Sequence, residues 1–330
     1  MKRALSTASG GGGLVSLRKI DARVFCLGNK GGNPVTIFAS SKPLSGSLQK
    51  DLAESCEWES VMVGTETSSS FPTMAFFMPS GEEVSFCAHA AIGGAIAMGE
   101  GSRSYDFRAA MTGDTFQIDT EKIEGSDTTN SASSSCCLHM KDVLFEEAPL
   151  GKEGLSSLEE WSDQLGWLSK GKKMPRNSSV VRPKTLVELE SVDAVHSAGT
   201  PPLDGGFAEA CATMDDSTGV YLYAKHSSET HAYECRQFPR SSGYPEDPAT
   251  GIAAAALAAS LRFGVVDNEK QQEADQNADS PTYNIYQGTA MGRASLIQVM
   301  NLERDQNGKL SFGLQGRVEI DSATTIEVND

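Results

Sequence analysis

Glu59 stands at the head of the apolar run SVMV, with Trp58 before it and Val61 two residues on. A carboxylate set against apolar groups loses hydration, which disfavours its charged form and lets it take up and return a proton near neutrality. A solvent-facing strand glutamate is the competing reading. His89 follows Cys87 by two residues at the start of a small-residue segment. The positive field of a helix start lowers the affinity of imidazole for a proton and favours a neutral ring with one donor and one acceptor. A structural histidine satisfied within the core is the alternative. Asp247 precedes Pro248 just before a second such segment, where it suits either capping or a role in a site. Cys87 has the position of a reactive thiol, since thiol pKa values fall at helix N-termini. A two-base thiol mechanism needs a second thiol on the opposing helix, and an overlay of the two segments puts Pro248 there, so Cys87 reads as a small packed residue.

The elements that must position these groups come as a pair. FCAHAAIGGAIAM begins at Phe86 and DPATGIAAAALAASL at Asp247, each after an extended stretch containing Phe and Pro. A gapless overlay puts Phe77 on Phe238, Ala88 on Ala249 and His89 on Thr250. Repetition of this kind suggests two halves of one design. Helix starts with side chains this small let a ligand approach backbone N–H groups that have no intrahelical acceptor, and the aligned peptide dipoles favour an anion. Two such ends facing one another would grip a carboxylate.

Around them the chain reads mainly as strands. IDARVFC alternates, GNKGGNP supplies turn residues, and PVTIFAS follows as a second strand. Ser45 or Ser47 caps a helix with Leu48, Leu52 and Cys56 on one face. Strands ESVMVG and TMAFFM precede the first small-residue helix; further strands lie near Tyr105–Arg108 and Thr115–Asp119. SLEEWSDQLGWL opens the second half as a helix, followed by strands TLVELES, GVYLYAK and HAYECRQF, the second small-residue helix, and strands NIYQG, SLIQVM and GRVEI. The expected fold is α/β with mixed sheets: two pseudo-symmetric domains, each a curled, mostly antiparallel sheet around a central helix. The domains are expected at 18–145 and 146–330, with polar insertions at 121–135 and 267–281 and a disordered leader over 1–17.

Composition narrows the function. A chain of 330 residues suits two domains of ordinary size. A formal charge of -16 argues against a nucleic-acid or anionic-membrane partner. Seven cysteines without paired metal-ligand spacing point to reduced thiols, and Cys136, Cys137 and His139 are too compressed for a zinc site. No metal and no cofactor is expected. No stretch of eighteen apolar residues suggests a membrane span. The leader carries Lys2 and Arg3 and no other basic residue, so a cytoplasmic location is expected ahead of organellar targeting.

GNPVTIF at Gly32–Phe38, WESVMV around Glu59, PSGEEVSFCAHA at Pro79–Ala90, YPEDPATG at Tyr244–Gly251 and QGTAMGRAS at Gln287–Ser295 together resemble the phenazine biosynthesis PhzF-like family, which shares its fold with diaminopimelate epimerase. The resemblance runs from about Lys19 to Ile320. It implies two sheets, each curled around one helix, an active site between them, and cofactor-free proton transfer. The glutamate matching Glu59 would move a proton between carbons of a carboxylate substrate, and the residues matching His89 and Asp247 would help to place it. Ala88, Ala90, Thr250, Gly251, Ile252 and Asn33 are the expected substrate-binding residues, and homodimers are frequent in the family. Ala88 stands where the family usually has Gly, Ile252 where it usually has Ser, and Trp58 replaces a small polar residue; these changes make the pocket smaller and more apolar. The expected activity is therefore that of a cofactor-independent isomerase acting on a small carboxylate. A catalytically inactive metabolite-binding or interaction module on the same fold is the alternative.

Overall fold

The computed structural model describes residues 13–65, 71–99, 101–123, 133–167, 174–203, 205–264 and 280–330. They divide into two compact units: one of residues 1–29, 33–139 and 316–330, the other of residues 30–32 and 140–315.

The first unit contains β1 (Leu14–Val24), β2 (Asn33–Ser40), α1 (Gly46–Glu54), β3 (Ser60–Gly64), β4 (Thr73–Phe77), β5 (Glu83–Val84), α2 (Ala88–Ala95), β6 (Arg103–Ala109), β7 (Thr115–Lys122) and β8 (Ser133–Leu144) through His139. The second begins on the rest of β8 and contains β9 (Glu146–Pro149), α3 (Lys152–Leu165), β10 (Arg176–Ser179), β11 (Pro183–Glu188), α4 (Val192–Ser197), α5 (Phe207–Thr213), β12 (Gly219–Lys225), β13 (Ala232–Pro239), α6 (Gly251–Phe263), β14 (Tyr283–Gln287) and β15 (Ser295–Arg304). The last strand, β16 (Lys309–Asn329), belongs to the second unit up to Gln315 and to the first from Gly316.

In the first unit the strands close into a ring, β1-β2-β3-β4-β6-β7-β8-β16, because β1 pairs with both β2 and β16. β2–β3 and β4–β6 are parallel; β1–β2, β3–β4, β6–β7 and β7–β8 are antiparallel. Every residue of α2 is buried against the ring. Its two glycines make this possible: a Cβ on Gly93 would meet Val35 Cγ1 at 2.7 Å, and one on Gly94 would meet Met74 Cε at 2.9 Å. α1 covers the other face of the same strands, with Leu48 and Leu52 packed on Phe38, Met62 and Phe77. Its Leu48 N–H donates to Ser45 Oγ at 3.3 Å, so Ser45 is the cap.

The second unit repeats the pattern. Its order is β9-β10-β11-β12-β13-β14-β15-β16, with β11–β12 and β13–β14 parallel and the other neighbours antiparallel. Strand for strand, β10 to β15 follow the directions of β1, β2, β3, β4, β6 and β7, and the buried helix comes after the fourth strand in both. α6 is the Ala-rich counterpart of α2 and lies against β10, β11 and β15. α3, α4 and α5 pack on the opposite face around Trp167, which stacks on Phe238 at 5.0 Å.

Several boundaries differ from the expectation. β1 takes in Leu14–Leu17, which the sequence suggested as leader; residues 1–12 lie outside the described residues. Gly316–Asp330 returns to the first unit rather than ending the second, and Lys30–Gly32 joins the second. The reason for the latter is a close approach: Gly31, at φ +64°, would place a Cβ 1.9 Å from the Ala294 carbonyl oxygen, and Gly32 N–H donates to Ser295 Oγ at 3.1 Å. α3 starts at Lys152 and stops at Leu165, where Gly166 takes the left-handed conformation. Of the insertion expected at 121–135, residues 124–132 lie outside the described residues, while Glu121–Lys122 end β7 and Ser133–Ser135 begin β8. Residues 267–279 of the second insertion likewise lie outside.

Candidate functional site

In the first unit, three of the expected residues come together. Glu59 immediately precedes β3, and its carbonyl accepts from Thr36 N–H of β2 at 3.2 Å. It is 5% exposed, so it is not a solvent-facing strand residue. His89 is the second residue of α2 and is also buried. Asn33, almost fully buried, opens β2 beside Pro34. Burial holds the His89 pKa below the usual 6.5, against the pull of the Glu59 carboxylate and the Pro34 backbone toward the charged form. A neutral ring with one donor and one acceptor results, and Cys87 Sγ lies 3.3 Å from its Nδ1.

The start of α2 is open to a ligand in its own hydrogen bonding. Cys87 is the N-cap and makes no side-chain cap. The first intrahelical bond runs from Ala91 N–H to the Cys87 carbonyl at 2.9 Å, so the N–H groups of Ala88, His89 and Ala90 have no intrahelical acceptor. Ala88 and Ala90 are both buried.

In the second unit the corresponding residues gather at the start of α6. Its first intrahelical bond runs from Ala254 N–H to the Thr250 carbonyl at 3.0 Å, which leaves Gly251, Ile252 and Ala253 N–H without an intrahelical acceptor. Thr250, and not Asp247, is the N-cap residue. Asp247 instead braces the turn before the helix: Oδ1 accepts from Ala249 N–H at 3.4 Å and Oδ2 from Thr250 Oγ1 at 2.5 Å. That turn delays α6 by two residues relative to α2 in the overlay, so Thr250, the match to His89, lies outside its helix.

Residues not singled out from the sequence hold Asp247 in place. Gln287 Nε2 donates to the Asp247 carbonyl at 2.7 Å and to Thr250 Oγ1 at 3.2 Å, while its Oε1 accepts from Thr250 N–H at 3.3 Å and Tyr221 OH at 3.0 Å. Glu246 is clamped by Arg236 through Nε at 2.8 Å and Nη2 at 2.7 Å, and Asp247 N–H donates to the Gln237 carbonyl at 3.0 Å. Lys184 is buried on β11; desolvation lowers its pKa to about 8, opposed by the Asp247 charge. Gln287 was visible as the first residue of QGTAMGRAS, but nothing local ties it to a turn forty residues earlier. Among the described residues, no group of three or more His, Cys, Asp or Glu side chains is arranged to hold a metal ion. No helix among them is long and apolar enough to cross a membrane.

Comparison with solved structures finds the same fold at low sequence identity. A phenazine biosynthesis protein of the PhzF family from Bacillus anthracis superposes with a TM-score of 0.74 at 15% identity, covering 94% of this chain and 99% of that one. A predicted epimerase from Pseudomonas aeruginosa gives 0.68 at 18% identity, with 94% and 99% covered. A PhzF-family protein from Enterococcus faecalis gives 0.63 at 16% identity, with the same shares. Comparison with curated proteins returns no match. The profile of the family described as Phenazine biosynthesis-like protein matches residues 22–321, and the chain therefore belongs to the PhzC-PhzF family.

Proposed function

We propose that the protein is an isomerase that moves a proton between carbons of a small carboxylate, with Glu59 as general acid and base. The observation that carries this reading is the burial of Glu59 beside a histidine held neutral. Family membership supports an isomerase-type enzyme. In the proposed reaction the Glu59 carboxylate removes a proton from the carbon that bears or conjugates with the substrate carboxylate. The electron pair delocalises into the carboxylate and any adjoining double bond, and Glu59 returns the same proton to another carbon. Nothing is oxidised or reduced, and no cofactor enters. The N–H groups at the start of α2 hydrogen-bond the developing negative charge, an interaction that strengthens toward the transition state. His89 orients the substrate through its one donor.

The test is exchange of carbon-bound hydrogen in deuterium oxide. Small carboxylates are first screened for raising the unfolding temperature, then incubated with the protein and followed by NMR. Deuterium should enter a stabilising carboxylate, and Glu59→Gln should slow this by about 10²- to 10⁴-fold, the usual contribution of a positioned acid or base. Undiminished exchange in the Gln variant would remove Glu59 from the mechanism. A stabilising ligand that never exchanges would favour a binding module.

A further inference from the structure

Arg262, in the last turn of α6, is a buried guanidinium with two N–H-bearing nitrogens that find no acceptor among the described residues. The residue is 7% exposed, and its Nε and Nη1 are buried with no hydrogen-bond acceptor. It lines an open pocket of about 520 Å³ together with Phe263, Glu303, Arg304 and Asp305. The Phe263 ring backs it at 5.5 Å, and Arg304 is backed in the same way by Phe145 at 5.8 Å. Arg304 spends only Nε, on the Gly308 carbonyl at 3.4 Å.

The acidic groups of the pocket do not answer this charge. Asp305 already accepts from the N–H groups of Asn307 and Lys309 at 2.8 Å each and from Asn307 Nδ2 at 3.4 Å. Those bonds hold its pKa below the usual carboxylate value. Among the described residues, no carboxylate lies within 4.0 Å of either guanidinium, Glu303 on the rim included. The negative end of α6 offsets part of the Arg262 charge but leaves its donors unused. Buried donors of this kind are normally filled, and a charged fork is filled best by a planar or tetrahedral oxyanion.

We infer that Arg262 and Arg304 form a binding site for a small oxyanion, a phosphate or a carboxylate, separate from the residues assigned to catalysis. Arg262 supplies the donors left without an acceptor and Arg304 a second guanidinium, and their two charges offset those of Glu303 and Asp305. The site stands on observations independent of the isomerase reading.

Inorganic phosphate and acetate, titrated separately into the full-length protein at constant ionic strength and followed through the arginine Nε–H resonances, distinguish the two ligand classes. At least one should saturate. Phosphate alone identifies a phosphoryl ligand and acetate alone a carboxylate. Arg262→Gln should weaken the binding at least about tenfold, the loss expected when a charge-assisted hydrogen bond is removed. Arg304→Gln should weaken it too, and because that side chain is exposed the second variant decides the matter if the first does not fold. Failure of both anions to saturate, or unchanged affinity in Arg304→Gln, would overturn the site.

Discussion

Cys87 Sγ and His89 Nδ1 lie 3.3 Å apart at the first turn of α2, a thiol and an imidazole joined across one residue. A thiol that donates to Nδ1 leaves the ring proton on Nε2, whereas one that accepts takes it on Nδ1, so the contact couples the thiol proton to the tautomer. The sequence marked Cys87 as packing, and the structure makes it a hydrogen-bond partner of the histidine. Cys87→Ser retains a donor and should keep isomerase turnover within a few-fold. Cys87→Ala should lower it by roughly three- to tenfold, about one neutral hydrogen bond. A loss of several orders of magnitude in the Ser variant would instead indicate thiol chemistry.

His89 predicts a pH dependence of stability with a definite sign. Its folded pKa lies below 6.5 because burial opposes the charge, so the unfolded chain binds the extra proton first. Stability should fall as pH drops through about 6.5 and keep falling until the folded pKa is passed. His89→Asn should flatten that limb of a plot of unfolding free energy against pH, measured with denaturant from pH 7.5 to about 5.

Lys184 gives a slope of the same sign at the alkaline end. Its pKa falls from 10.5 to about 8 on folding, so the unfolded state holds the proton longer. Stability should rise as pH increases from about 8 toward 10.5, by up to roughly 3 kcal/mol on the usual conversion of pKa shift to free energy. Lys184→Met should be more stable than the parent at pH 7 and lack this rise; equal slopes in the two proteins would show that the ammonium is not buried in solution.

The Arg236–Glu246 pair, buried on both sides, should respond asymmetrically. Removing one partner strands a charge and should cost about 3 to 5 kcal/mol, whereas a hydrophobic replacement of both should cost far less. Arg236→Met, Glu246→Leu and the double variant, compared by chemical denaturation, test this.

Gly94 tests the fit of α2 inside its ring. A Cβ there would lie 2.9 Å from Met74 Cε and 3.4 Å from Val61 Cγ1. The flexible methionine can shift for one methyl group, so Gly94→Ala should cost about 1 kcal/mol, whereas Gly94→Val should cost about 3 kcal/mol or more. A thermal-unfolding series of the two variants measures the step.

Much of this protein was legible without coordinates because it depends on local chemistry. A helix buried on nearly every side against strands has little room, so α2 and α6 announce themselves by their high share of Gly and Ala. The motifs around Glu59, His89 and Asp247 are contiguous and carry the family with them. What no window of sequence contains is the choice of partner. Strand pairing is made between backbones that look alike from every residue, so the return of Gly316–Asp330 to β1, the shift of Lys30–Gly32 to the second unit, and the hold of Gln287 on Asp247 and Thr250 were decided only by tertiary structure. The same holds for Arg262: in the chain it is one basic residue at a helix end, and only packing removes its water and leaves its donors without an acceptor.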